Sequence, residues 1–122
     1  MANPIIPIYS SRGDAEAFLA FPYLFNRAGE WIGFISFQRE VYSVLGYYVG
    51  TLTNDPRIVR KRSGEEKPRL KPPQAPEPLR ISAVVPLPKM MADLTQEIID
   101  VLQDEPDRLH TLDAGEMRQE LD

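Results

Sequence analysis

The sequence predicts a mainly β fold, a small, shallow, pseudo-four-fold symmetric β-barrel of four hairpins with a C-terminal α-helical tail. Three observations carry that reading. A segment of about sixteen residues recurs three times in the first half of the chain. All eleven aromatic residues lie between Tyr9 and Tyr48. Charge and proline content then change abruptly, from a net −2 over residues 1–56 to +5 over 57–71, +1 over 72–92 and −8 over 93–122.

The repeat superposes on a glycine. Tyr9-Ser10-Ser11-Arg12-Gly13, Phe25-Asn26-Arg27-Ala28-Gly29 and Tyr42-Ser43-Val44-Leu45-Gly46 each place an aromatic four residues before it and Ser or Asn three before. Small residues follow four positions later (Ala17, Gly33, Gly50), and Leu19, Ile35 and Leu52 six positions later. Ser or Asn at the head of a turn hydrogen-bonds nearby backbone, and Gly at its end adopts positive φ readily. That chemistry suits a type I turn closed by a bulge, so each copy reads as strand–turn–strand. The outgoing strands alternate, with Trp31, Gly33 and Ile35 against Ile32 and Phe34, and apolar groups on both faces predict cover on both sides.

A fourth hairpin is expected to be opened by an insertion. Arg57-Ile58-Val59-Arg60-Lys61-Arg62 follows the turn signal Asn54-Asp55-Pro56 and reads as the incoming strand, with Leu79–Val85 as its partner. Between them Ser63–Pro78 carries five prolines and is expected to be exposed and poorly ordered. The barrel then spans residues 4–86. Residues 88–122 form an acidic tail, in which Met91, Leu94, Ile98, Val101 and Leu102 predict a helix to Asp104, entered at Pro88 and halted by Pro106. A further turn after Asp104 and a last helix at Asp113-Ala114-Gly115-Glu116 are expected. A helix of this length is marginal in water, so its apolar stripe needs a surface, and its own barrel is the nearest.

The glycine columns, ending in Tyr47-Tyr48-Val49-Gly50-Thr51-Leu52, resemble the 4-fold beta flower domain family, with a distant likeness to tubby-like domains. The resemblance covers roughly residues 5–85, and the fourth repeat departs from it by lacking the Ser-x-x-Gly turn. It implies a shallow barrel of four hairpins and, through the tubby likeness, a hydrophobic or anionic-lipid ligand.

Composition narrows the chemistry. The chain has 122 residues, no Cys, one His and a net charge of −4, which leaves no disulfide, thiolate nucleophile or Cys-based zinc site. No apolar run approaches a membrane span, and Met1-Ala2-Asn3-Pro4 lacks a basic leader, so a soluble cytoplasmic protein without cofactor or metal is expected. Ser10 and Ser43 already have a turn role, His110 has no second His for a relay, and Glu65-Glu66 and Asp104-Glu105 read as solvated charges. An enzyme is not expected.

Three candidate contact regions remain. Arg57, Arg60, Lys61 and Arg62 form a basic strand that would suit phosphate groups of a lipid. Nucleic acid is disfavoured because no aromatic side chain accompanies these charges. The plain alternatives are a solvated edge strand and neutralisation by the acidic tail. Ala17, Gly33 and Gly50, with Phe18, Phe34 and Trp31 around them, would line a narrow apolar channel if the repeats surround an axis, or a filled core if they pack closely. Phe21, Phe37 and Tyr47 fall at hairpin ends, where self-association or a partner would cover them. The expected function is a non-enzymatic binding module for a lipid or other hydrophobic ligand. The alternative is a protein–protein or self-assembling scaffold.

Overall fold

Short apolar runs separated by glycine turns leave the chain little choice but to pair each run with the next. In a computed structural model, which describes residues 4–64 and 66–113, eight antiparallel strands pair in sequence order and curl into a half-barrel. They are β1 (Ile6–Tyr9), β2 (Ala15–Ala20), β3 (Tyr23–Phe25), β4 (Trp31–Ile35), β5 (Glu40–Ser43), β6 (Tyr48–Leu52), β7 (Ile58–Lys61) and β8 (Ile98–Asp100). A single helical turn, α1 (Val101–Asp104), and a 3₁₀ turn at Pro106–Arg108 follow.

The three repeat turns are equivalent. Gly13, Gly29 and Gly46 adopt φ of +92°, +81° and +89°. Each donates its N–H to the carbonyl three residues back, on Ser10, Asn26 and Ser43, at 2.9–3.0 Å. The strand register slips by one residue at Tyr9, Phe25 and Tyr42 alike, the bulge that the aromatic column marks.

The fourth pair departs from expectation. A turn does form at Lys61–Gly64, with Gly64 at φ +87° and its N–H on the Lys61 carbonyl at 3.0 Å. The partner of β7 is nevertheless Ile98–Asp100, and Leu79–Val85 is not a strand. By Leu79 the chain has already moved two hairpins away, donating its N–H to the Gly29 carbonyl at 2.9 Å. The expected helix over 88–104 is likewise corrected to α1 alone. Ile98 and Ile99 are β-branched residues beside an unpaired β7, and sheet pairing there outweighs a helical period whose stripe would need its own partner. The expected last helix at 113–116 lies almost wholly outside the described residues.

Cross-strand pairing explains the column of small residues. Ile8, Leu24 and Val41, all fully buried, lie opposite Ala17, Gly33 and Gly50. A Cβ on Gly33 would strike the Tyr42 carbonyl and Leu109 Cδ2, and one on Gly50 would strike the Val59 carbonyl. Large faces small because neighbouring strands leave room for only one side chain. Val101, Leu102 and Leu109 join this core from beyond β8, so the tail packs on its own sheet through a shorter element than expected. The opposite face carries an aromatic row, in which Tyr23 pairs with Phe34, Phe34 stacks on Tyr42 at 5.4 Å, and Tyr42 meets Tyr48 edge-on at 5.9 Å.

The proline-rich segment from residue 66 to 97 is largely exposed and has no strand or helix, yet it is tied down. Leu70 N–H donates to the Gly46 carbonyl at 3.0 Å and Leu79 N–H to the Gly29 carbonyl at 2.9 Å. Tyr9 Oη donates to the Pro86 carbonyl at 2.6 Å, and Pro88 packs over Gly13. The insertion is therefore a strap that visits the third, second and first glycine turns in that order, not a loose loop. Extended proline-rich chain makes no hydrogen bonds within itself, so its remaining donors are free for the turns.

Gly50→Ala is expected to lower stability by about 3 kcal/mol through the clash with the Val59 carbonyl. Gly64→Ala, in open space with only its positive φ to oppose it, should cost about 1 kcal/mol. Urea unfolding of both variants checks the order, and a larger loss at Gly64 would contradict the packing account.

Candidate binding surfaces

The basic strand turns two of its four charges onto the protein itself. Arg57 is only 3% exposed. Its guanidinium donates to both Asp55 carboxylate oxygens, to Ser11 Oγ at 2.9 Å and to the Ala92 carbonyl at 2.7 Å. Arg60 forks onto Glu105 through Nε and Nη2 and donates Nη1 to the Lys61 carbonyl. Arg62 Nε donates to the Gln96 carbonyl at 2.8 Å, though the residue, like Lys61, stays exposed. Of the two plain alternatives to a lipid contact, neutralisation by the acidic tail of the same chain is visible directly in the Arg60–Glu105 pair.

These pairs shift the carboxyls. Hydrogen bonds from Arg60, opposed by burial and aided by Arg108, hold Glu105 down from an ordinary 4.5 to about 2. Asp55 is lowered mainly by its hydrogen bonds from Arg57, again against burial, with help from Thr53. Arg60 is raised in turn by Glu105. Burial, followed by the nearby Glu40 carboxylate, pushes the Tyr42 hydroxyl up.

The Arg57 network borders a cleft of about 260 Å³ lined by Ser11, Thr95, Asp100, Gln103 and Asp104 among others. Ser11 gives both its N–H and its hydroxyl to Asp100 Oδ2, while Asp100 Oδ1 caps α1 by accepting from Gln103 N–H. Ser11 thus bridges a carboxylate and a guanidinium and joins three segments of the chain. Among the described residues no group of three His, Cys, Asp or Glu side chains could hold a metal.

A different region is open to solvent. The strand connections opposite the glycine turns carry Phe21 and Phe37, 38% and 88% exposed, with ring centroids 5.4 Å apart. Ile5 and Ile6, 43% and 41% exposed, lie at the start of β1 next to the end of β2 that leads into Phe21. A neighbouring groove of about 440 Å³ runs between Ile6, Leu19, Leu52, Pro86 and Leu87. Arg39 shapes this end. It adopts φ +64° where the repeat turns use glycine, and its N–H meets the Ser36 carbonyl at 3.0 Å. Its guanidinium donates to the carbonyls of Leu52 and Thr53, which holds it there. Sequence reading missed this turn, for which Ser36 three residues earlier was the available signal.

The other sequence candidates separate. Phe18 is buried opposite Phe25, and Phe34 is buried in the aromatic row. Trp31 is half-buried, donates Nε1–H to the Gly33 carbonyl at 2.7 Å, and lines a hollow with Pro76 and Pro78 of the strap. Ala17, Gly33 and Gly50 sit in the close cross-strand pairs described above. Tyr47 is half-exposed at the glycine-turn end, under the Arg69 guanidinium at 4.8 Å. No known protein family, curated protein or solved structure matches this chain.

Both lowered carboxyls contribute stability that is present above their ordinary range and is lost as pH falls through their folded values. Resistance to urea should therefore fall as pH drops from 4.5 towards about 2, and Glu105→Gln should flatten that slope. An unchanged slope in the variant would show that Glu105 is not the titrating group.

Proposed function

We propose that the protein is a non-enzymatic interaction module that self-associates through its apolar end. The observation that carries this reading is the exposure of Phe21, Phe37, Ile5 and Ile6 at that end. Large apolar groups left in water gain free energy when a partner covers them. The connections at 21–22 and 36–39 hold no carboxylate, whereas the chain as a whole is net negative. Two copies can meet there, patch to identical patch, with Arg39, the one charge of these connections, donating to the Leu52 and Thr53 carbonyls of its own chain. The lipid reading loses support because Arg57 is buried and Arg60 is paired within the chain. The likeness to beta flower domains is favoured by the three equivalent glycine turns, with the strap opening what would be the fourth.

Sedimentation velocity over a range of concentrations tests this. A species of twice 13.9 kDa is expected for the intact chain, and a monomer of unchanged thermal stability for Phe21→Ser with Phe37→Ser. A monomer at every concentration would overturn self-association. Salt-sensitive pelleting of that monomer with anionic vesicles would restore the lipid reading instead.

A further inference from the structure

The strap carries a repeat of its own. Its contact residues Leu70, Leu79 and Pro88 are nine residues apart, and each is followed by a base, Lys71, Arg80 and Lys89. They meet Gly46, Gly29 and Gly13, the equivalent glycines of three successive hairpins. At two of these turns the contact has one geometry. The strap residue donates its N–H to the glycine carbonyl, and its own carbonyl occupies the space where a Cβ on that glycine would stand. The side chains take little part, since Leu70 remains 38% exposed.

Around these anchors the strap runs beside aromatic side chains, as extended proline-rich chain does in known modes of recognition. Pro76 and Pro78 line a hollow with Trp31, and the Pro86 carbonyl accepts from Tyr9 Oη. Arg69 covers the Tyr47 ring and donates Nε to the Leu45 carbonyl. An aromatic-lined surface with well-spaced polar groups is a general way to hold extended proline-rich chain, which arrives already ordered. The features used here, backbone N–H groups at a fixed spacing, a backbone carbonyl, proline rings and one guanidinium, could all be supplied by another chain.

We propose that the glycine-turn end is a recognition track for proline-rich polypeptide, with the strap as its resident occupant. A proline-rich segment of another protein, with backbone donors nine residues apart, displaces it. Tethering gives the strap an effective concentration in the millimolar range or above, so the track is closed to weak competitors and opens when the strap's anchors are weakened. This proposal does not depend on self-association, because the Leu70 and Leu79 anchors sit at the glycine turns while Phe21 and Phe37 lie on the connections opposite them; only the last part of the strap, Pro86 and Leu87, reaches the groove beside Ile6.

Leu70→Pro with Leu79→Pro tests it in the full-length chain by removing both N–H donors from a segment already rich in proline. Trp31, the only tryptophan, reports strap release through its emission. A labelled peptide with the sequence of residues 66–90 should bind the folded double variant at least tenfold more tightly than it binds the unaltered chain. Shortening its anchor spacing from nine residues to six should abolish that binding. A folded variant that ignores the peptide, or one that binds both peptides equally, overturns the proposal. Should the variant not fold, Pro76→Ser with Pro78→Ser keeps both donors and removes the two rings that line the hollow beside Trp31. Peptide binding no tighter than to the unaltered chain would then overturn it. Phe21→Ser with Phe37→Ser should leave peptide binding unchanged, which separates this result from the oligomeric state.

Discussion

A buried guanidinium holds the half-barrel together. Arg57 bridges the β6–β7 turn through Asp55, the first glycine turn through Ser11 and the end of the strap through Ala92. Ser11 then passes the connection to Asp100, which ends β8 and caps α1. An eight-stranded meander has two free edges, and this network draws them towards each other without pairing them. The edge at β1 is blunted further, because Pro7 has no N–H and Tyr9 gives its own to the Pro56 carbonyl at 3.0 Å. Removing one member of such a network leaves its partners buried and uncompensated, a loss on the order of 3 kcal/mol. The charge that suggests an anionic contact in the sequence is therefore the bolt of the fold.

The strap depends on that closure. It leaves the sheet after Gly64, crosses the three glycine turns and returns at Ala92 beside Arg57, where the chain is delivered to β8. Its route is set by backbone groups that the turns cannot satisfy themselves, the outward carbonyls of Gly46 and Gly29. The glycines have two duties: they take positive φ, and they leave space for the strap's carbonyls. The fold tolerates a segment with no secondary structure because two of its three turn contacts repeat the same small piece of geometry. Opposite this end, the connection held by Arg39 presents Phe37 to water, so the two ends of the strands differ in kind.

The division between local and distant causes decides what could be read without coordinates. The three hairpins were legible because each depends on five consecutive residues, and the Ser or Asn to Gly spacing determines turn type, bulge and register within that window. The large–small pairs were legible in part, since Ala17, Gly33 and Gly50 already stood in one column, and the exposed Phe21 and Phe37 followed from their place at hairpin ends. The identity of β8 was not, because Leu79–Val85 is the better strand by propensity and only the path of the strap takes it elsewhere. Arg57 was read as a surface charge because its partners Ser11 and Ala92 lie 46 and 35 residues away, and Ser11 meets Asp100 across 89. Arg39 at positive φ had only Ser36 as a local signal; carbonyls 13 and 14 residues further on hold it there. By itself the sequence determined the turns and the strands they join. Tertiary structure decided which strand closes the sheet and which charges are buried, because those outcomes rest on contacts whose partners sequence spacing does not bring together.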